Sequence, residues 1–116
     1  MAPRGASGMA KPARRYDFYL PLAFNDGGTI PEEQFDAVEK RLIERFGGVT
    51  SQQRSFPLRG VWLGKTRLYL DQVIIMTTLD FRAQGSSRFI AQVKRDLLRD
   101  FRQLAILITE SPLRVH

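Results

Sequence analysis

The chain has 116 residues, a formal net charge of +6, and 43% hydrophobic and 10% aromatic residues, which is the make-up of one globular domain rather than a disordered chain. It has no cysteine and a single histidine, His116, at the last position; this removes disulfides, thiolate nucleophiles, histidine general bases and zinc sites that need two imidazoles. No apolar run approaches the roughly 18 residues of a membrane span and no signal-peptide pattern is present, so a cytoplasmic protein with no membrane contact and no cofactor is expected.

Residues 1–15 hold Arg4, Lys11, Arg14 and Arg15 and no acid, with Pro3, Gly5, Ser7, Gly8 and Pro12 breaking any periodicity. The composition predicts a disordered basic tail, a solvated arm in preference to an organelle transit peptide. Without it the domain is only mildly basic, so the high pI is no argument for a nucleic-acid groove in the fold. Tyr16 to Phe24 then alternates, with Tyr16, Phe18, Leu20, Leu22 and Phe24 on one side, as a strand does. Pro21 interrupts it, and in a central strand it predicts a bulge or an unpaired amide site.

Asn25-Asp26-Gly27-Gly28 is turn chemistry, and Thr29-x-x-Glu32 with Pro31 reads as a capping box at the start of a helix. Phe35, Val38, Leu42, Ile43 and Phe46 recur at helical spacing, and Gly47 is the expected left-handed C-terminal residue. Residues 48–57 form a polar loop. Leu58 to Leu63 and Arg67 to Asp80 are apolar runs separated by Gly64 and Lys65, a pair suited to a two-residue hairpin. The second run, rich in β-branched residues, is the predicted central strand. Ser86 or Ser87 caps a second helix with Ile90, Val93, Leu97 and Phe101 on one stripe. Leu104 to Thr109 is a last strand, stopped by Ser111-Pro112, with 111–116 as a C-terminal tail.

Strand, helix, strand, strand, helix, strand is the βαββαβ order of a split βαβ, ferredoxin-like α+β domain over 16–110, a four-stranded antiparallel sheet with two helices on one face. Both alternating sets of the central strand are apolar in its second half, whereas a strand with one wet face alternates more cleanly. The open sheet face is therefore expected to seat a second copy of the chain as a homodimer.

Asn25-Asp26-Gly27, Phe46-Gly47-Gly48-Val49-Thr50, Gly60-Val61-Trp62, Asp71 and Phe101-Arg102-Gln103, in that order and spacing, resemble a family of small bacterial proteins of unassigned function. The resemblance spans about residues 16–109, supports the element order and implies no activity.

Three groups of residues carry possible chemistry. Asp26, Gly27 and Gly28, between a strand and a helix N-terminus, are a candidate anion or ligand site with Trp62, although plain turn chemistry is the preferred reading. Asp17, Tyr19, Tyr69 and Asp71 are the strand carboxylates and phenols, able to act as acid and base or to hold a hard cation if they share a face. The competing reading has Asp71 bound to Arg54 or Arg59 and fixing the long loop. Arg88, Arg95, Arg99 and Arg102 fall within about 60° of one another on a helix, a basic ridge for nucleic acid or an acidic protein partner, or, with Asp96 and Asp100 beside it, a solvated face. The pattern RLYLDQVII lacks the aromatic platform of an RNA-binding sheet, and Asp26 alone is a weak signal for a metal-dependent nuclease. The missing catalytic repertoire favours a self-associating ligand- or protein-binding module without catalysis, ahead of a nucleic-acid binder and of an acid/base enzyme.

Overall fold

The computed structural model describes residues 9–116; the first eight residues of the expected tail lie outside the described residues. The elements run β1 (Lys11–Pro21), α1 (Glu32–Phe46), β2 (Thr50–Ser51), β3 (Leu58–Leu63), β4 (Leu68–Asp80), α2 (Ser87–Asp100) and β5 (Ile108–Val115). All strand pairs are antiparallel in the order β2-β4-β1-β5, with β3 also paired to β4. The fold is thus α+β with the expected topology and five strands rather than four. The extra strand arises because β2 and β3 share one edge of β4. Thr50 and Ser51 pair with Thr77 and Met76, residues 52–57 leave the sheet, and pairing resumes at Leu58 opposite Val73. The Gln52 side chain bridges the gap by accepting the Ile75 N–H at 2.6 Å.

The register divides the sheet into two faces, because directly paired residues point the same way and alternate residues point apart. Tyr16, Phe18 and Leu20 lie opposite Thr78, Met76 and Ile74, and all six are buried. Against them pack Phe35, Val38 and Leu42 of α1, Val93 and Leu97 of α2, and Phe101 and Ile106. Phe35 and Phe101 meet edge to face at 5.2 Å, the favoured arrangement of two aromatic quadrupoles. Among the described residues no helix is long and apolar enough to cross a membrane.

Several local expectations change. β1 begins at Lys11, not Tyr16, and β5 runs to Val115 through Ser111-Pro112, because Lys11 to Arg15 pair with Val115 to Ser111. Each segment satisfies backbone groups that neither could satisfy alone. β5 is an edge strand, where a proline is tolerated. Pro21 causes no bulge: β1 lies between β4 and β5, but β5 reaches only to Phe18, and Pro21 is the last residue of β1. Thr29 bridges to Ala23 instead of capping a helix, and Pro31 occupies the cap position with no side-chain bond. Gly47 does take the left-handed conformation, with φ of 87° and its N–H donated to the Ile43 carbonyl. The β3–β4 turn spans the four residues 64–67, closed by the Gly64 N–H on the Arg67 carbonyl at 2.9 Å.

The β4–α2 connection is fixed by a buried carboxylate. Asp80 accepts from the Ser86 hydroxyl at 2.8 Å and from the Arg82 amide at 3.0 Å, and its side chain is fully buried. Ser86 in turn accepts from the Arg45 guanidinium at 3.0 Å. This explains why Ser86 precedes α2 without capping it: its hydroxyl is engaged by Asp80. Asp80→Ala would leave the Ser86 hydroxyl and the Arg82 amide and guanidinium without their acceptor. It is expected to destabilise the fold by about 2 kcal/mol, within the range for leaving buried donors unsatisfied, as read from denaturant unfolding.

Tyr16 lies at the same end of the sheet. Burial, first, and then Glu110 push its phenol above its ordinary value of 10.0. A phenol whose folded value is raised stabilises the fold fully below its unfolded value and loses that contribution as pH rises through the folded one. Stability is therefore expected to fall above about pH 10, with a shallower fall in Tyr16→Phe, as measured by denaturation across alkaline pH.

Candidate active site

The face of the sheet opposite the helices is built by β1 and β4. Asp17 pairs with Thr77, Tyr19 with Ile75 and Pro21 with Val73, so these six residues share it. Beyond Pro21 the same parity along β4 continues through Asp71 and Tyr69, whose partners on β3 are Gly60 and Trp62. Asp17, Tyr19, Tyr69, Asp71 and Trp62 are thereby brought to one face, but not to one point. Asp71 is six residues from Thr77, or roughly 20 Å at 3.3 Å per residue, so Asp17 and Asp71 do not form a carboxylate pair.

Asp17 is the best-held of these groups. Its side chain is only 15% exposed, although it stands on the open face. The Arg15 Nε–H donates to both carboxylate oxygens at 3.1 and 3.2 Å, and the Thr77 hydroxyl donates to Oδ1. The two donors come from two strands of one rigid sheet, which fixes the carboxylate without loop motion. Arg15 and Thr77 are the residues that sequence reasoning missed: Arg15 was assigned to the tail and Thr77 carried no signal. Only the register Asp17↔Thr77 reveals them.

Tyr69 and Trp62 stand on the β3–β4 arm. The Tyr69 ring packs over Gly64, where a Cβ would come within 2.3 Å of it, and the Arg67 guanidinium lies 4.7 Å from the ring centroid. The Trp62 ring closes over Gly60, where a Cβ would meet Nε1 at 3.0 Å. Asp71 is exposed and lines a shallow cleft of about 250 Å³ with Leu58, Arg59 and Leu70. Arg54 does not bind Asp71; it binds Glu32 and Asp36 of α1 and stacks on Phe35, so it is Arg54 and α1 that pin the long loop. Gly64→Ala is expected to displace the Tyr69 ring and cost about 1 kcal/mol, seen as a lower unfolding midpoint and an altered tyrosine fluorescence.

The other candidates serve local structure. The Asp26 carboxylate accepts the Gly28 N–H at 2.9 Å, the Phe24 N–H donates to the Gly28 carbonyl, and the Phe24 carbonyl accepts the N–H of Gly27, whose φ is 92°. The turn lies apart from α1, whose first residue is Glu32. The basic ridge is compensated by acids at Arg99 alone. Arg99 pairs with Asp96 and Asp100, and Arg95 donates to Gln92. Arg102 has left the helix, with φ of 49° and its guanidinium 4.4 Å from the Phe24 ring centroid. Arg88 is exposed near the start of α2. Asp96 is held below its ordinary value chiefly by hydrogen bonds from Arg41 and Gln92. No group of three potential metal ligands occurs among the described residues.

The open face also departs from the expected apolar homodimer seat. Around Asp17, Tyr19 and Thr77 it is polar, with Ile75 and Leu79 half-buried, and the exposed apolar side chains gather on the arm instead.

No family model matches the chain, nor does any curated protein. Among solved structures, a phage SAM lyase in complex with S-methyl-5'-thioadenosine superposes with a TM-score of 0.59 at 14% identity, covering 95% of this chain and 94% of that one. A phage SAM lyase in the apo state superposes with a TM-score of 0.56 at 16% identity, covering 99% and 94%. The likeness shows a shared fold. Because the proteins that share it are described as a lyase, the expectation of a self-associating module without catalysis is overturned. That expectation rested on missing cysteine and histidine, which excludes only the chemistry those two residues perform.

Proposed function

We propose that this chain is a lyase acting on a sulfonium nucleoside of the S-adenosylmethionine type, with the open face of β1 and β4 as its active surface. The observation that carries the reading is the Asp17 carboxylate, held by Arg15 and Thr77 on that face with Tyr19 two residues away. The likeness to a phage SAM lyase over nearly the whole of both chains supports the substrate class.

The reaction this implies balances within the substrate. The bond from sulfur to the aminobutyryl carbon breaks, its electron pair goes to sulfur, and neutral methylthioadenosine leaves. The aminobutyryl fragment compensates by closing on its own carboxylate or by losing a proton. Asp17 sits where a carboxylate opposes the sulfonium charge and orients the fragment, or takes that proton. Tyr19 supplies a phenol that hydrogen-bonds the amino-acid end.

Incubation of the full chain with S-adenosylmethionine is expected to release methylthioadenosine, followed by chromatography and mass spectrometry, with the fragment's retention against lactone and alkene standards distinguishing ring closure from elimination, since the two products are isomers. Asp17→Asn is expected to lower kcat by about 10²-fold or more, with an unchanged unfolding midpoint. Absence of methylthioadenosine above the uncatalysed background would rule the reading out. Full turnover by Asp17→Asn would remove Asp17 from it.

A further inference from the structure

The β3–β4 arm is built unlike the rest of the molecule. β1 ends at Pro21 opposite Val73 and the Leu22 N–H makes one more bond, to the Gln72 carbonyl, so residues 68–71 of β4 pair only with β3. A two-stranded ribbon alone is marginally stable in water, and here it is apolar on both sides. Leu58, Trp62 and Tyr69 share one face and Leu63, Leu68 and Leu70 the other; all are exposed, Leu63 to 82% and Leu68 and Leu70 to 62% each. With Phe56 and Val61 the open apolar area is on the order of 800 Å², above the 300–600 Å² of a typical monomer's largest patch and about the per-partner area of a standard interface.

Charge indicates the occupant. The tip of the arm carries Lys65 and Arg67. Its root is joined to α1 through Arg54, which engages Glu32 and Asp36; beside them Glu33 and Glu39 stand on the first half of the helix, which carries no basic residue. Glu32 and Glu39 line a cleft of about 430 Å³ with the 51–55 loop. Tip and root of one arm lie at opposite ends and cannot meet within one chain. They can meet between chains laid in opposite directions.

We propose that the arm is the self-association surface of this protein and that its occupant is a second copy of the chain, arms packed through their apolar faces with each basic tip against the neighbour's acidic α1 root. The inference is independent of the chemistry proposed above. It relocates the interface from the open face of β1 and β4, which stays free for substrate, to a ribbon that two copies stabilise together.

The test is the mass of the full chain by sedimentation equilibrium and light scattering over a wide concentration range. A closed assembly of whole multiples of 13.3 kDa is expected. The double variant Leu68→Glu with Leu70→Glu, at positions outside the core, is expected to weaken association at least about 30-fold while retaining the native circular dichroism. Lys65→Glu with Arg67→Glu is expected to weaken association in a salt-dependent way and to regain it when Glu33→Lys and Glu39→Lys are added to the same chain. A monomer at the highest concentration overturns the proposal, as does an assembly that survives the leucine variants. Association lost in the leucine variants but indifferent to charge reversal overturns the tip-to-root arrangement.

Discussion

The antiparallel pairing of β1 with β4 is the constraint on which the rest depends. Its register, Phe18 opposite Met76 and Asp17 opposite Thr77, assigns every second residue to the helix side and the others to the open side, and a slip of one residue would exchange the two sets. The core side is filled by aromatic and branched side chains that only α1 and α2 can cover. The same register gives the open side a carboxylate, a phenol and a threonine. Core and candidate site are therefore two outcomes of one alignment, and a change that weakens the pairing acts on both.

The length mismatch between the two strands is the second consequence. β4 has 13 residues, and its last eight pair with β1, which stops at Pro21. Proline has no amide hydrogen to continue a ladder and fixes its own φ; the Leu22 N–H makes one last bond to the Gln72 carbonyl, and the chain then turns away through Phe24 to Gly28. What remains of β4 has one partner, β3, and no helix above it. The two-sided apolar pattern that the sequence shows in this strand thus has two physical origins. In residues 73–79 one side faces the core and the other the half-buried open face; in 68–70 both sides are simply exposed.

Periodicity made the element order, both helices and their buried stripes readable, because 3.6- and 2-residue patterns are imposed by the same faces that pack. Strand ends were less readable. Lys11 to Arg15 and Ser111 to Val115 look polar and proline-broken separately, and become strands only because each is the other's partner, a nonlocal fact that no window of sequence contains. The capping signals of Thr29 and Ser86 misled for a more local reason: each was claimed by a partner six residues upstream, the Thr29 backbone by Ala23 and the Ser86 hydroxyl by Asp80. Asp17 and Tyr19 were visible as strand residues, but the groups that hold Asp17 were not, since one lies in an apparent tail and the other sixty residues away.

A composition without cysteine and with one terminal histidine narrows the reactions that such a face can catalyse, and the narrowing is informative. Most bond cleavages at neutral pH need a group of intermediate pKa to protonate the leaving atom, and none stands on this face. A sulfonium needs no such group: its leaving atom departs as a neutral thioether, so the difficult proton transfer is absent and the positive charge is what changes along the reaction. The requirement falls to a rigid surface that orients the fragment and places a fixed negative group beside the carbon on which positive charge develops as its bond to sulfur breaks. A carboxylate bonded across two strands meets that requirement with residues this chain has, which is how a poor inventory of catalytic side chains is compatible with the lyase reaction proposed above.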